Sequence, residues 1–174
     1  TPSAPNSRSE GNIGPTYSGM KHSPAVPSAG EPTTVSVVAN DPDGISSLTL
    51  FYSVNGGAFQ TVGMGGGAGG SYSGQVPGQS AGARVQFYLT GADSAGAMQT
   101  FPQAGPDSRA MFQVSDGRAA TNGWQNFRII MTAADSSFQH RSIEVMSNDR
   151  LGATIIDREG DIYYGCGVRL KSSQ

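Results

Sequence analysis

Cysteine is nearly missing from this chain: Cys166 is the only one, so no internal disulfide can brace the fold. No histidine stands near it in sequence, and it reads as a small apolar side chain buried in a strand rather than a reactive thiol. Imidazole is also scarce, with only His22 and His140. Neither lies near a Gly-x-Ser-x-Gly elbow, so a hydrolase built on Ser, His and a carboxylate has no visible nucleophile. Charged residues are only 14% of the chain, 11 basic against 13 acidic. That balance argues against nucleic acid or a polybasic membrane surface, both of which need clustered Lys and Arg. No apolar run approaches the ~18 residues of a membrane span. The glycine tract 63–70 has no Lys and Ser/Thr at phosphate-loop spacing and reads as a flexible loop.

The 25 glycines, among many Ser, Thr, Ala and Asn, suit an all-β extracellular or cell-surface module with generous loops. A length of 174 residues admits one ordinary domain, or one domain with a fragment. The chain opens on Thr1, as expected of a processed product or a segment of something longer.

Residues 1–30 are rich in Pro, Gly, Ser and Asn, a linker composition. Met20 and Val26 are expected along a sheet edge in a first short strand, and His22 as a solvated loop residue. From Glu31 the pattern turns to period two. "TTVSVVAND" puts Val35 and Val37 on one face and ends in the turn Asp41-Pro42-Asp43-Gly44. "SSLTLFYSVNGGAFQTVGM" predicts a hairpin around Asn55-Gly56-Gly57, with Leu48, Leu50 and Tyr52 sharing a face and Phe59 and Val62 on the return strand. "ARVQFYLTGAD" places Val85, Phe87 and Leu89 inward and Tyr88 outward. About seven short strands at intervals of roughly ten residues predict a mainly β fold, a two-sheet sandwich over 18–114.

Beyond Asp116-Gly117 the character changes to a small α+β extension, 115–174. A strand from Phe127 to Met131 leads to Thr132 as N-cap of a helix over 133–141, with Asp135 suited to its first turn. "LGATIIDREGDIYYGCGVRL" predicts a hairpin bending at Arg158-Glu159-Gly160-Asp161 and anchored by Ile155 and Ile162.

The stretches "PTTVSVVANDPDGISSLTLFYSVNGGAFQTVGM" and "YSGQVPGQSAGARVQFYLTGADSAG" resemble the immunoglobulin- or fibronectin type III-like module of large bacterial extracellular proteins. There "D-x-D-G", "Y-S-x-N-G-G" and "V-x-F-Y-L-x-A-x-D" recur, and Gly91 departs from the alanine of the last. "NFRIIMTAADSSFQHR" with "MSNDRLGATIIDREGDIYYGCGVRLKSSQ" resembles the beginning of a CotH-type, spore-coat kinase-like domain. Its "G-x-R-x-K-G-x-S" turn is matched through Gly167, Arg169 and Lys171, while Ser172 and Gln174 replace the usual glycine and serine. "TPSAPNS" resembles the tail of a lamin-tail-like module, so 1–17 is expected to be a linker or the end of an upstream module. The resemblance implies that the family's metal-binding and catalytic acids lie downstream of this stretch, so no catalytic residue carries over. Arg169 and Lys171 would border a nucleotide pocket in an intact domain.

Among small ligands, calcium suits best: Asp41, Asp43 and Asp93 sit in turns expected to gather at one end of the sandwich. Sugar stacking has candidates in Tyr17, Tyr52, Tyr72, Tyr88 and Trp124, although Trp124 also suits pinning the second segment to the first. His140 is expected on the helix surface. The leading expectation is a noncatalytic spacer or interaction module whose partners are neighbouring domains. Alternatives are a self-assembling subunit that pairs copies of itself by strand addition, a kinase-like piece that needs its remaining portion, and a carbohydrate binder.

Overall fold

The computed structural model describes residues 11–119, 125–141 and 148–170. They are mainly β, in three antiparallel sheets with one α-helix among the described residues. The first sheet runs in the order β1 (Thr16–Ser23), β2 (Thr33–Asn40), β6 (Ser71–Val76), β5 (Gly65–Gly66). The second runs β4 (Gln60–Gly63), β3 (Ile45–Val54), β7 (Arg84–Asp93). Two short strands share the far edge of β7: β8 (Met98–Phe101) pairs along Leu89–Ala92, and β9 (Met111–Gln113) along Arg84–Gln86.

These two sheets form a sandwich because each strand hides alternate residues. On β2, Thr33, Val35, Val37 and Ala39 are buried, and the residues between them are not. On β7, Val85, Phe87 and Leu89 are 0% exposed while Tyr88 points outward. They meet Leu48, Leu50 and Tyr52 of β3 in one core. Burying each large apolar side chain contributes about 1.5–3 kcal/mol. The β3–β4 hairpin turns where expected, with Asn55 and Gly56 at φ 52° and 78°. Phe59 lies just before β4 and packs against Tyr88 on the outer face.

Several expectations for this half are corrected. The glycine tract is not wholly a loop: Gly65 and Gly66 pair with Ser73 and Tyr72 and extend the first sheet by a short strand. Nor is His22 a solvated loop residue. It is the penultimate residue of β1 and is 3% exposed. The register slips between Ser18 and Lys21, where Gly19 has φ 61°. The extra residue shifts side-chain parity, so Tyr17, Met20 and His22 all turn toward the core. Val26 follows the strand rather than belonging to it.

The third sheet runs β10 (Phe127–Ile130), β11 (Leu151–Asp157), β12 (Asp161–Val168). Between β10 and β11 lies helix α1 (Ala133–Arg141), capped as the sequence predicts: the Asp135 N–H donates to Thr132 Oγ1 at 3.1 Å. The β11–β12 bend holds Arg158 and Glu159 at positive φ. Ile162 is half-buried against Met111, Ile130 and Ile156, as expected of an anchor, but its buried partner on β11 is Ile156, 0% exposed, rather than the half-buried Ile155. Cys166 is half-buried on β12.

Candidate functional site

The most developed constellation of buried polar groups lies where the third sheet meets the sandwich. β9 is an edge strand of the sandwich, so its outer backbone groups need partners. Thr154 of β11 supplies one: its Oγ1 accepts from the Met111 N–H at 3.0 Å and donates to the Arg109 carbonyl at 2.5 Å. Met111, Ile130 and Ile156 close an apolar cluster around this contact. Arg109 Nε donates to Asp135 of α1 at 2.6 Å, and Arg128 of β10 bridges Asp116 and Glu159 at 3.1 and 2.8 Å. The Arg118 backbone N–H, with Arg128, holds the Asp116 carboxyl below its usual range.

Deeper in, Tyr164 of β12 enters the sandwich core. Its ring lies edge-on to Phe87 at 5.8 Å, and its hydroxyl is 2.5 Å from His22 Nδ1. His22 Nε2 stands 3.0 Å from the Ala25 carbonyl, which can only accept. Nε2 therefore carries the proton, and Nδ1 accepts from the tyrosine. Burial pushes His22 down to about 4, with the Ala25 carbonyl opposing, and burial pushes the Tyr164 phenol up. A neutral imidazole locked this way holds two elements together. It has no free lone pair with which to act as a base.

Between α1, the sandwich edge and the end of β12 lies a cavity of about 600 Å³. Its lining includes the polar Arg84, Gln139, His140 and Arg169 and the apolar Ile130, Met131 and Val168.

The predicted calcium ligands do converge. Carboxylate oxygens of Asp41, Asp43 and Asp93 all lie within 4.8 Å of one another, and none of the three carboxylates pairs with a cation among the described residues. Asp93 is not in a loose turn, however. It takes the last inward position of β7 and is 1% exposed. Its Oδ2 accepts from Asn12 at 2.8 Å and its Oδ1 from the Ala97 N–H at 2.9 Å. Burial pushes this carboxyl up, and the Asn12 amide with the backbone N–H groups of Ala97, Gly96 and Ala95 more than offsets it, leaving it below its usual range. Asp41 Oδ1 accepts from the Asp43 N–H at 2.8 Å, a turn-forming bond. Asp41 and Asp43 keep oxygens for a hard cation, while both oxygens of Asp93 already serve the fold.

The aromatic candidates are dispersed. Tyr52 is a core residue whose hydroxyl donates to Gln60, and Tyr17 stacks on Phe101 at 5.4 Å and donates to the Gln99 carbonyl. Tyr88 lies flat on Phe51 at 4.7 Å on the outer face of the second sheet. Tyr72 is half-buried on β6. Trp124 and Lys171 lie outside the described residues. Arg169 is exposed and donates to Asn148. His140 is exposed on α1, as expected.

No family model matches this chain, and no curated protein does. Among solved structures, the crystal structure of the Br derivative of the carbohydrate-binding module BhCBM56 is similar at 17% identity, over 48% of this chain and 78% of that one, with a TM-score of 0.34. A likeness that distant gives no basis for carrying a ligand over. No helix among the described residues is long and apolar enough to cross a membrane.

Proposed function

We infer that this chain is a noncatalytic, extracellular β-sandwich module of immunoglobulin or fibronectin type III kind, drawn from a larger CotH-type surface protein. Its sandwich is a rigid platform for the sheet that follows it. The observation that carries this reading is the docking of β11 and β12 onto the sandwich through Thr154, Ile156 and Tyr164. A linker would leave that sheet independent; here its side chains complete the hydrogen bonds and the core of the sandwich. The order β1-β2-β6 facing β4-β3-β7, with further strands at the edges, supports the immunoglobulin or fibronectin kind.

Native-state hydrogen exchange on the full chain tests the platform. Amides of β2, β3, β7 and β11 should share one protection class without any ligand. Fast exchange across β10–β12 beside a protected sandwich would count against it. Phosphate release from ATP and Mg²⁺ or Mn²⁺ by this chain would overturn the noncatalytic part.

A second reading, self-assembly, has its own support. β10 and β12 are both outer strands of the third sheet, and Phe127, Ile129 and Tyr163 stand exposed on them at 59%, 54% and 54%. Static light scattering across a wide concentration range separates the two: a strict monomer removes self-assembly.

A further inference from the structure

The cavity between α1 and the sandwich has an uneven wall. Its basic groups are Arg84 and Arg169, and no Asp or Glu lines it. Neither arginine pairs with a carboxylate among the described residues. Arg84 spends one N–H on the Met131 carbonyl at 3.5 Å, and Arg169 donates to Asn148. Gln139 lines the same space at 5% exposure, and its Nε2 is buried with no hydrogen-bond partner. A buried amide N–H without an acceptor is costly and uncommon in a folded protein. Ile130, Met131 and Val168 add apolar surface to the lining. A volume of about 600 Å³ lies within the range of small-molecule sites. The chain as a whole carries a formal charge of −2, so this local excess of donors runs against its average.

We propose that this cavity binds a small carboxylate carried on an apolar body. The carboxylate would accept from Arg84 or Arg169 and, once the Gln139 side chain turns its amide into the cavity, from Gln139 Nε2, and the body would cover Ile130, Met131 and Val168. The site is formed only when α1 and β12 are docked on the sandwich, because Arg84 comes from β7 and Gln139 from α1. It is independent of the module reading above.

The probe is octanoate, kept below its micelle-forming range, with octanol as the uncharged control. Binding is followed by ¹⁵N–¹H chemical shifts and by ligand-induced change in Tm. Octanoate should bind saturably and shift amides of β10 and α1, with octanol at least roughly tenfold weaker, since a charge-assisted hydrogen bond is lost. Gln139→Leu separates a ligand-binding role from a structural one. Removing an orphaned amide should raise the unliganded Tm, yet weaken octanoate roughly tenfold. Arg84→Gln should weaken octanoate by a similar factor, and added salt should do the same in the wild type. The proposal is overturned if octanol binds as tightly as octanoate or if neither saturates. It is equally overturned if Gln139→Leu lowers Tm and leaves octanoate affinity unchanged.

Discussion

Protonating His22 should loosen the whole junction, and the size of the effect follows from its contacts. A second proton would have to sit on Nδ1, where it displaces the hydrogen bond from Tyr164, among the rings of Phe87, Phe112 and Tyr164. The folded chain resists this, and burial moves the His22 pKa from 6.5 down to about 4. The unfolded chain takes its proton near pH 6.5, well before the folded one does. The folded state therefore has its full advantage above pH 6.5 and loses it progressively down to about pH 4. Moving the pKa from 6.5 to about 4 corresponds to about 3 kcal/mol. That is a large part of the ~5–15 kcal/mol that a domain commands. Urea unfolding followed by circular dichroism, from about pH 7 down to about pH 4.5, measures it. Wild type should lose most of this amount, and His22→Phe should be nearly flat across the window. The carboxyls of Asp93 and Asp116, held below their usual range, contribute only at lower pH, where their protonation destabilises both proteins. At pH 7, Tyr164→Phe alone should cost about 1–2 kcal/mol by leaving Nδ1 buried without a donor. Combined with His22→Phe, it should cost less than the two single changes added. Parallel pH slopes in wild type and His22→Phe would refute the argument.

Thr154→Val removes the hydroxyl that serves both Met111 and Arg109 and should cost about 1–3 kcal/mol by urea unfolding, whereas Thr154→Ser should recover most of it. Gly91→Ala restores the alanine of the resembling pattern, but its Cβ would stand 2.5 Å from the Tyr17 hydroxyl and 2.7 Å from Leu48 Cδ1. It should cost on the order of 1 kcal/mol, and Tyr17→Phe should rescue part of it, read as Tm in the single and double variants. Asp43→Asn relieves like-charge repulsion in the acidic trio and should leave Tm unchanged or raised. A Tm rise with millimolar calcium in wild type only, together with a loss in Asp43→Asn, would instead show a working cation site.

The readable parts of this protein are those that a local period decides. Strand β7 hides every second residue without a break, so Val85, Phe87 and Leu89 could be assigned to the core from alternation alone. The Thr132 cap and the Asn55-Gly56 turn depend only on near neighbours, and they too were legible. The acidic trio was legible for a different reason: the turn before β3 and the last residue of its neighbour β7 come out at one end of a sandwich. One misreading sits at an irregularity of its own strand. The extra residue near Gly19 reverses parity and turns His22 inward. The β11 misreading has no such cause: the register shift beside Ala153 and Ile155 puts its extra residue on β12, where Gly165 has φ 65°, and β11 itself buries Thr154 and Ile156. A bulge leaves little trace in a pattern of two, so the turn of His22 could not be found by counting. The junction and its cavity were illegible for a stronger reason. Arg84 and Gln139 are far apart in the chain, and nothing near either one specifies the other. Their meeting depends on which face of the third sheet lies against β9, and that face is selected by Thr154 and Ile156 finding partners on the sandwich. Polar groups buried by docking are therefore the features that local sequence reading misses, and here they include the unpartnered amide of Gln139.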